Sequence, residues 1–191
     1  MSVYCTERPP NFTYDVAVYG GIPERFFYSY YEPKFRNLGW TIKDVTKDRY
    51  WQQYDTDFVV ATDGGMIENN VDDPRYVKIE VKSDLKCHKT GNLAYEVRSH
   101  GKPGWVLKTK ADLVMIFDCE DDNQDGTLKA NRCYIIKMKR WYEYAAWFKN
   151  SPEFKTNSIE AEDIFDHLHK IEELRRFGII EKEYDMGGMR I

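Results

Sequence analysis

The clearest pattern in the chain is an alternation. From Tyr76 to Lys82, the apolar Val77, Ile79 and Val81 alternate with Lys78, Glu80 and Lys82. Successive strand side chains point to opposite faces, so this stretch predicts a strand with one apolar and one charged face. Asp57 to Ala61 (DFVVA) predicts a strand before it, and the DGGMIENNVDDP segment between them is dense in turn formers. Asp57 and Glu80 are therefore expected on neighbouring antiparallel strands. Leu93 to Arg98 predicts a third strand, with Ala94, Glu96 and Arg98 on one face. The unbroken apolar run Leu113 to Phe117 predicts a strand covered on both sides, and Cys133 to Met138 predicts another. Trp40 to Val45 reads as a short extended piece, and Tyr14 to Tyr19 as at most a short strand inside a lead-in.

Helical periods occupy the rest. Pro23 stands where a first-turn proline opens a helix, and Phe26, Phe27, Tyr30 and Tyr31 fit one face of it until Pro33 kinks or ends it. RWYEYAAWF from Arg140 predicts a short aromatic helix. Asn157 with Glu160 makes a capping pair, and Ile164, Leu168, Ile171 and Leu174 recur at helical spacing up to a stop at Gly178. On that helix His167 and His169 face different ways, which reads as solvated surface rather than a shared metal site. The charged, glycine-containing stretch from Glu181 is expected to fray. The expected organisation is one α/β domain over 1–191: a core of about 20–138, a C-terminal helical extension over 139–180, and a tail over 181–191.

Composition narrows the partners. The net charge of -4 argues against a general coat of nucleic-acid affinity and leaves room for a local basic patch. Cys5, Cys87, Cys119 and Cys133 are scattered, so neither a zinc ribbon nor a disulfide framework is indicated. No apolar run approaches the roughly 20 residues that cross a bilayer, and the N-terminus lacks the features of a signal peptide. The expectation is a cytoplasmic protein with no membrane partner. A calcium loop starting at Asp121 would place Gly126 sixth, but its twelfth position is Arg132 instead of a glutamate, so this stretch reads as a solvated hairpin.

The charged face carries the chemistry. A buried carboxylate beside an ammonium is costly unless a charge, a metal or a substrate compensates it. The chain holds three Glu-x-Lys triplets. Glu32 and Lys34 flank Pro33, and Glu153 with Lys155 follows Pro152, so only Glu80 and Lys82 lie within a strand. Two carboxylates on adjacent strands offer the oxygen ligands that magnesium prefers, with water and a substrate phosphate completing the shell. A bound metal lowers the pKa of its water, and a lysine two residues away stabilises charge on phosphorus oxygens; phosphodiester hydrolysis is the matching reaction. Glu24 has a second reading, as an acid favoured by the first turn of its helix, and Asp55 reads as a turn residue.

Taken in order, Asp57, then Glu80-Val81-Lys82, then Thr90 to Glu96 (TGNLAYE) and Lys108 to Asp112 (KTKAD) resemble the PD-(D/E)xK nuclease superfamily. The likeness is to small phage-encoded, Holliday-junction-resolvase-like members, and it spans about Gln52 to Phe117. One departure is Thr56, which stands where the family name has proline. The resemblance implies a restriction-endonuclease-like α/β fold with a central mixed sheet flanked by helices. It implies Asp57, Glu80 and the Val81 carbonyl as metal ligands, Lys82 as catalytic lysine and Glu24 as accessory acid, with Glu96 as the acid of the Gly-Asn strand. The expected activity is a magnesium-dependent DNA endonuclease, with manganese able to substitute, working in the host cytoplasm if phage-encoded. A catalytically inactive binding module of the same fold is the alternative, and action on RNA or free nucleotides is a third. Lys86, Lys89, Arg98, Lys102, Lys108 and Lys110 follow Glu80 in the chain and are the expected phosphate contacts. Symmetric cutting of two strands would favour a homodimer.

Overall fold

The computed structural model describes residues 15–99, 102–121, 127–148, 158–161 and 164–191. After a π-helical turn at Asp15–Gly20, the helices are α1 (Gly21–Asn37), α2 (Arg49–Gln52), α3 (Cys87–Thr90), α4 (Trp105–Lys108), α5 (Met138–Phe148) and α6 (Ile171–Arg176). The strands are β1 (Thr41–Asp44), β2 (Phe58–Ala61), β3 (Tyr76–Asp84), β4 (Asn92–Ser99), β5 (Lys102–Pro103), β6 (Leu113–Glu120), β7 (Lys129–Lys137), β8 (Ser158–Ala161), β9 (Ile164–Lys170) and β10 (Ile180–Arg190).

Six strands form a mixed sheet in the order β1-β2-β3-β6-β7-β10, in which β3 and β6 run parallel and the other neighbours antiparallel. The protein is thus α/β with a central mixed sheet flanked by helices. Alternation along the strands divides the core. Ile79, Val81, Phe58, Met115 and Phe117 pack beneath α1, on Ile22 and Phe27. Val114, Ile116, Tyr134 and Ile136 face the other way, onto Leu93, Tyr95, Trp141 and Leu174. Tyr95 stacks on Trp141 at 3.9 Å between ring centroids, closer than the ~4.5–7 Å usual for aromatic pairs. A third cluster, around Trp51, Val59 and Ala61, covers that same side near β2.

The connection from β3 to β6 supplies β4 and β5, which with the later β8 and β9 form a second, antiparallel sheet in the order β5-β4-β9-β8. The Gly-Asn strand, β4, therefore leaves the central sheet and stands over its charged face. Gly91, at φ 68°, ends α3 in the left-handed conformation that glycine adopts without steric cost and turns the chain into β4.

Several expectations are corrected. Asp15–Gly20 is a helical turn and not a strand; Tyr14 lies outside the described residues. The C-terminal helical extension is largely sheet: Ile164 and Leu168 belong to β9, and only Ile171 and Leu174 are helical. A spacing of four suits both a two-residue and a 3.6-residue period, and pairing of β9 with β4 from Asn92↔Lys170 onward selects the strand. Glu160 of the expected capping pair sits in β8, and Asn157 lies outside the described residues. His169 is no surface residue: it is 1% exposed and packs against Tyr95, Trp141 and Tyr144. The tail that was expected to fray is β10, paired with β7 from Ile180↔Ile136 to Arg190↔Lys129 with two irregularities. Gly178, at φ 66°, stops α6 as expected.

Candidate active site

The register of β2 on β3 sets the geometry. Phe58 lies opposite Ile79, so Asp57, one residue before β2, stands across from Glu80. Its backbone N–H donates to the Ile79 carbonyl at 3.0 Å, and its carboxylate oxygen Oδ2 accepts the Val81 N–H at 2.9 Å. The N–H and C=O of a strand residue point to the same edge, so the Val81 carbonyl also faces the side on which β2 has ended. Gln52, at the end of α2, fixes the approach: its amide donates to the Thr56 carbonyl at 3.0 Å and to Asp57 Oδ1 at 3.5 Å.

Glu80 and Lys82 project from the same face of β3 and form an ion pair through Glu80 Oε1. Glu80 is 2% exposed, and its other oxygen, Oε2, is buried without a hydrogen-bond partner. The Lys82 side chain is 34% exposed, so the pair is open to solvent at its lysine end. Burial pushes the Glu80 carboxyl up to about 8; Lys82 pulls it down and Asp57 adds to the rise. Lys82 is held above the usual ammonium range by the carboxylates around it, Glu80 foremost, which outweigh the opposing effect of its burial.

Above this pair opens a cleft of about 810 Å³, walled by Glu24 and Arg25 of α1, Lys47 after β1, Gln52, Val81 and Lys82, with Glu96 of β4 on the far side. Burial, reinforced by Asp57, lifts the Glu24 carboxyl to about 7, partly offset by Lys82. Glu96 reaches the cleft because β4 buries Leu93 and Tyr95 on one face and turns Ala94 and Glu96 the other way. Gly104 packs so closely on β4 that an added Cβ would stand 2.2 Å from the Glu96 carbonyl.

Of the residues singled out in the sequence, Val81, Lys82, Glu24 and Glu96 line this cleft, while Asp57 and Glu80 are buried next to Val81 and Lys82 and do not line it. The structure adds Asp55, which the sequence offers only as a turn residue. Asp55 does turn the chain, at φ 44°, yet its charge acts on both Glu80 and Lys82, and its Oδ2 is buried without a partner. The basic residues are more dispersed. Lys86 shares a small hollow with Lys82, and Lys89 is exposed on α3. Arg98 and Lys102 are exposed at the β4–β5 hairpin, where a bulge between Glu96 and Arg98 interrupts the alternation. Lys108 pairs with Asp55 at 2.8 Å, and Lys110 is exposed beyond it.

Among the described residues no three His, Cys, Asp or Glu side chains form a group able to hold a metal ion by themselves. Asp57, Glu80 and a carbonyl are a sparser set, of the kind magnesium accepts because it retains several waters. The unpartnered Glu80 Oε2 is a free oxygen donor suited to it. Cys87, Cys119 and Cys133 are free and buried away from such a role. No described helix is long and apolar enough to cross a membrane. Compared with protein-family models, with curated proteins and with solved structures, the chain matches none.

Proposed function

We propose that the protein is a magnesium-dependent DNA endonuclease of restriction-endonuclease-like fold, hydrolysing phosphodiester bonds in the cleft above β3. The observation that carries this reading is the convergence of Asp57, Glu80 and Lys82 on one sheet face, with a buried carboxylate oxygen left without a partner and the lysine open to a cleft. Asp57, Glu80 and the Val81 carbonyl would hold the metal, which supplies Lewis acidity and a hydroxide near neutral pH when bound. Lys82 then stands where its ammonium meets the non-bridging phosphate oxygens as charge builds on them. Glu24, with its carboxyl near 7, exchanges a proton at working pH and is suited to relay one to or from water in the cleft. Gln52 and the Val81 amide keep the Asp57 carboxylate in place. Branched DNA is the substrate suggested by the resemblance to junction-resolving enzymes.

The Glu80–Lys82 ion pair favours one rival reading, in which the lysine neutralises the acid permanently and the cleft binds DNA without cutting it. A panel of branched, linear and single-stranded DNA with magnesium, manganese or chelator separates the two. The expected result is metal-dependent cleavage by the native protein and none by Glu80→Ala at unchanged fold. Full activity in Glu80→Ala would overturn the site, and binding without cleavage under every metal would leave the inactive module.

A further inference from the structure

The charged face of the sheet opens a second time, at the other end of β3. Lys78, Lys108, Lys110, Lys137 and Lys139 line a groove of about 800 Å³ there, with Asp112 as the sole acid among its lining residues. In a chain of net charge -4, five ammonium groups and one carboxylate are a local concentration of positive charge. Three of the lysines are paired: Lys78 with Asp112 at 3.5 Å, Lys108 with Asp55 at 2.8 Å and Lys137 with Glu181 at 2.8 Å. Lys110 and Lys139 are exposed and make no ion pair among the described residues. Leu107, 61% exposed, and Tyr142, 45% exposed, add apolar surface beside them. The Tyr142 hydroxyl donates to the Thr109 carbonyl at 3.0 Å, which fixes its ring at the groove wall.

The groove and the catalytic cleft are linked through Lys108, which lines the first and bonds Asp55 beside the second. Lys78 lies four residues before Lys82 on the same strand face, about 13 Å away at ~3.3 Å per residue. For a duplex whose axis runs along β3, at ~3.4 Å of axial rise per base pair, that is roughly four base pairs. We propose that this lysine groove holds the phosphate backbone of a nucleic-acid duplex arm, about four base pairs from the phosphate placed at Lys82. The placement relative to Lys82 rests on the nuclease reading, whereas binding in the groove does not. Lysines act here as point charges on phosphates, so the contact is independent of base sequence. It explains how an acidic protein grips a polyanion while its cleft concentrates carboxylates.

The test is duplex binding by fluorescence anisotropy, in chelator, with a labelled duplex of about 20 base pairs at ~50 to ~200 mM salt. The full-length Lys110→Ser/Lys139→Ser variant is expected to lower the slope of log affinity against log salt by nearly 2, and to weaken binding about tenfold or more at the lowest salt. Lys110→Arg/Lys139→Arg is expected to keep the native slope, and both variants to keep the native thermal midpoint. An unchanged slope in the serine variant overturns the proposal, as does absence of duplex binding by the native protein or an effect confined to single strands. Cleavage is read separately, on the same duplex with magnesium: no cleavage by the native protein alongside the expected loss of slope in the serine variant fails the nuclease reading and leaves the groove standing.

Discussion

On the proposed metal reading, the unpartnered Glu80 oxygen ties metal binding to pH, and the size of the coupling follows from its environment. Burial lifts the Glu80 carboxyl from 4.5 to about 8, so the metal-free folded protein holds a proton that the unfolded chain has released. The metal-free fold is therefore expected to lose stability as pH rises from about 4.5 to about 8 and to level off above that. A divalent cation works in the opposite sense, because it needs the ionised carboxylate. Each unit of pH below about 8 costs roughly tenfold in apparent affinity, or about a hundredfold at pH ~6. Magnesium at ~100 times its dissociation constant stabilises by about 2.7 kcal/mol when Glu80 is ionised, and the same concentration at pH ~6 by only about 0.4 kcal/mol. For a chain of this size 1 kcal/mol moves the midpoint by ~2–4 °C, so the increment is expected to be about 5–11 °C at pH ~9 and ~1–2 °C at pH ~6. Differential scanning fluorimetry with magnesium, manganese and chelator measures it. An increment independent of pH, or one that survives in Glu80→Gln, would refute the reasoning.

Three further outcomes are expected. Lys82→Met should cut the cleavage rate by about a hundredfold or more while leaving DNA affinity in chelator within a few-fold, and should move half-maximal metal binding to higher pH, since Lys82 is the cation that holds Glu80 down; native rates would contradict it. Gly104→Ala forces a Cβ to 2.2 Å from the Glu96 carbonyl and is expected to cost ~1–3 kcal/mol in urea denaturation, with a loss below about 0.5 kcal/mol counting against the close approach. Deleting the chain from Ile180 removes β10 and bares the edge of β7, so light scattering should show aggregated protein, whereas a stable monomer would show that β10 is dispensable.

The part of the site carried by the strands is legible in the sequence. Glu80 and Lys82 declare themselves because a strand with a one-sided apolar pattern leaves its polar partners on one face, and Asp57 because it abuts the apolar run Phe58–Ala61. Gln52 and Asp55 did not, because they arrive from a four-residue helix and a turn, where no period runs long enough to be seen. The cap of that helix was the available signal: Asp48 precedes it, and its side chain accepts the Tyr50 N–H at 3.0 Å. In the fold, β2, β3, β6 and β7 were readable from alternation or from unbroken apolar runs. The C-terminal third was not. Ile164 and Leu168 satisfy two periods at once, and β10 is an edge strand whose residues are half-buried or exposed, held by backbone pairing with charged side chains along it. Neither situation leaves a one-sided apolar pattern in the residues themselves.

The pairing of β4 with β9 joins Asn92 to Lys170 across most of the second half of the chain. The wall of the cleft that carries Glu96 is thus fastened by residues made long after Asp57, Glu80 and Lys82 have left the ribosome. Contacts this distant in sequence form slowly, after local structure has settled. During synthesis the three central residues would wait in an unroofed sheet until β9 emerged to pair with β4 and complete the wall of the cleft.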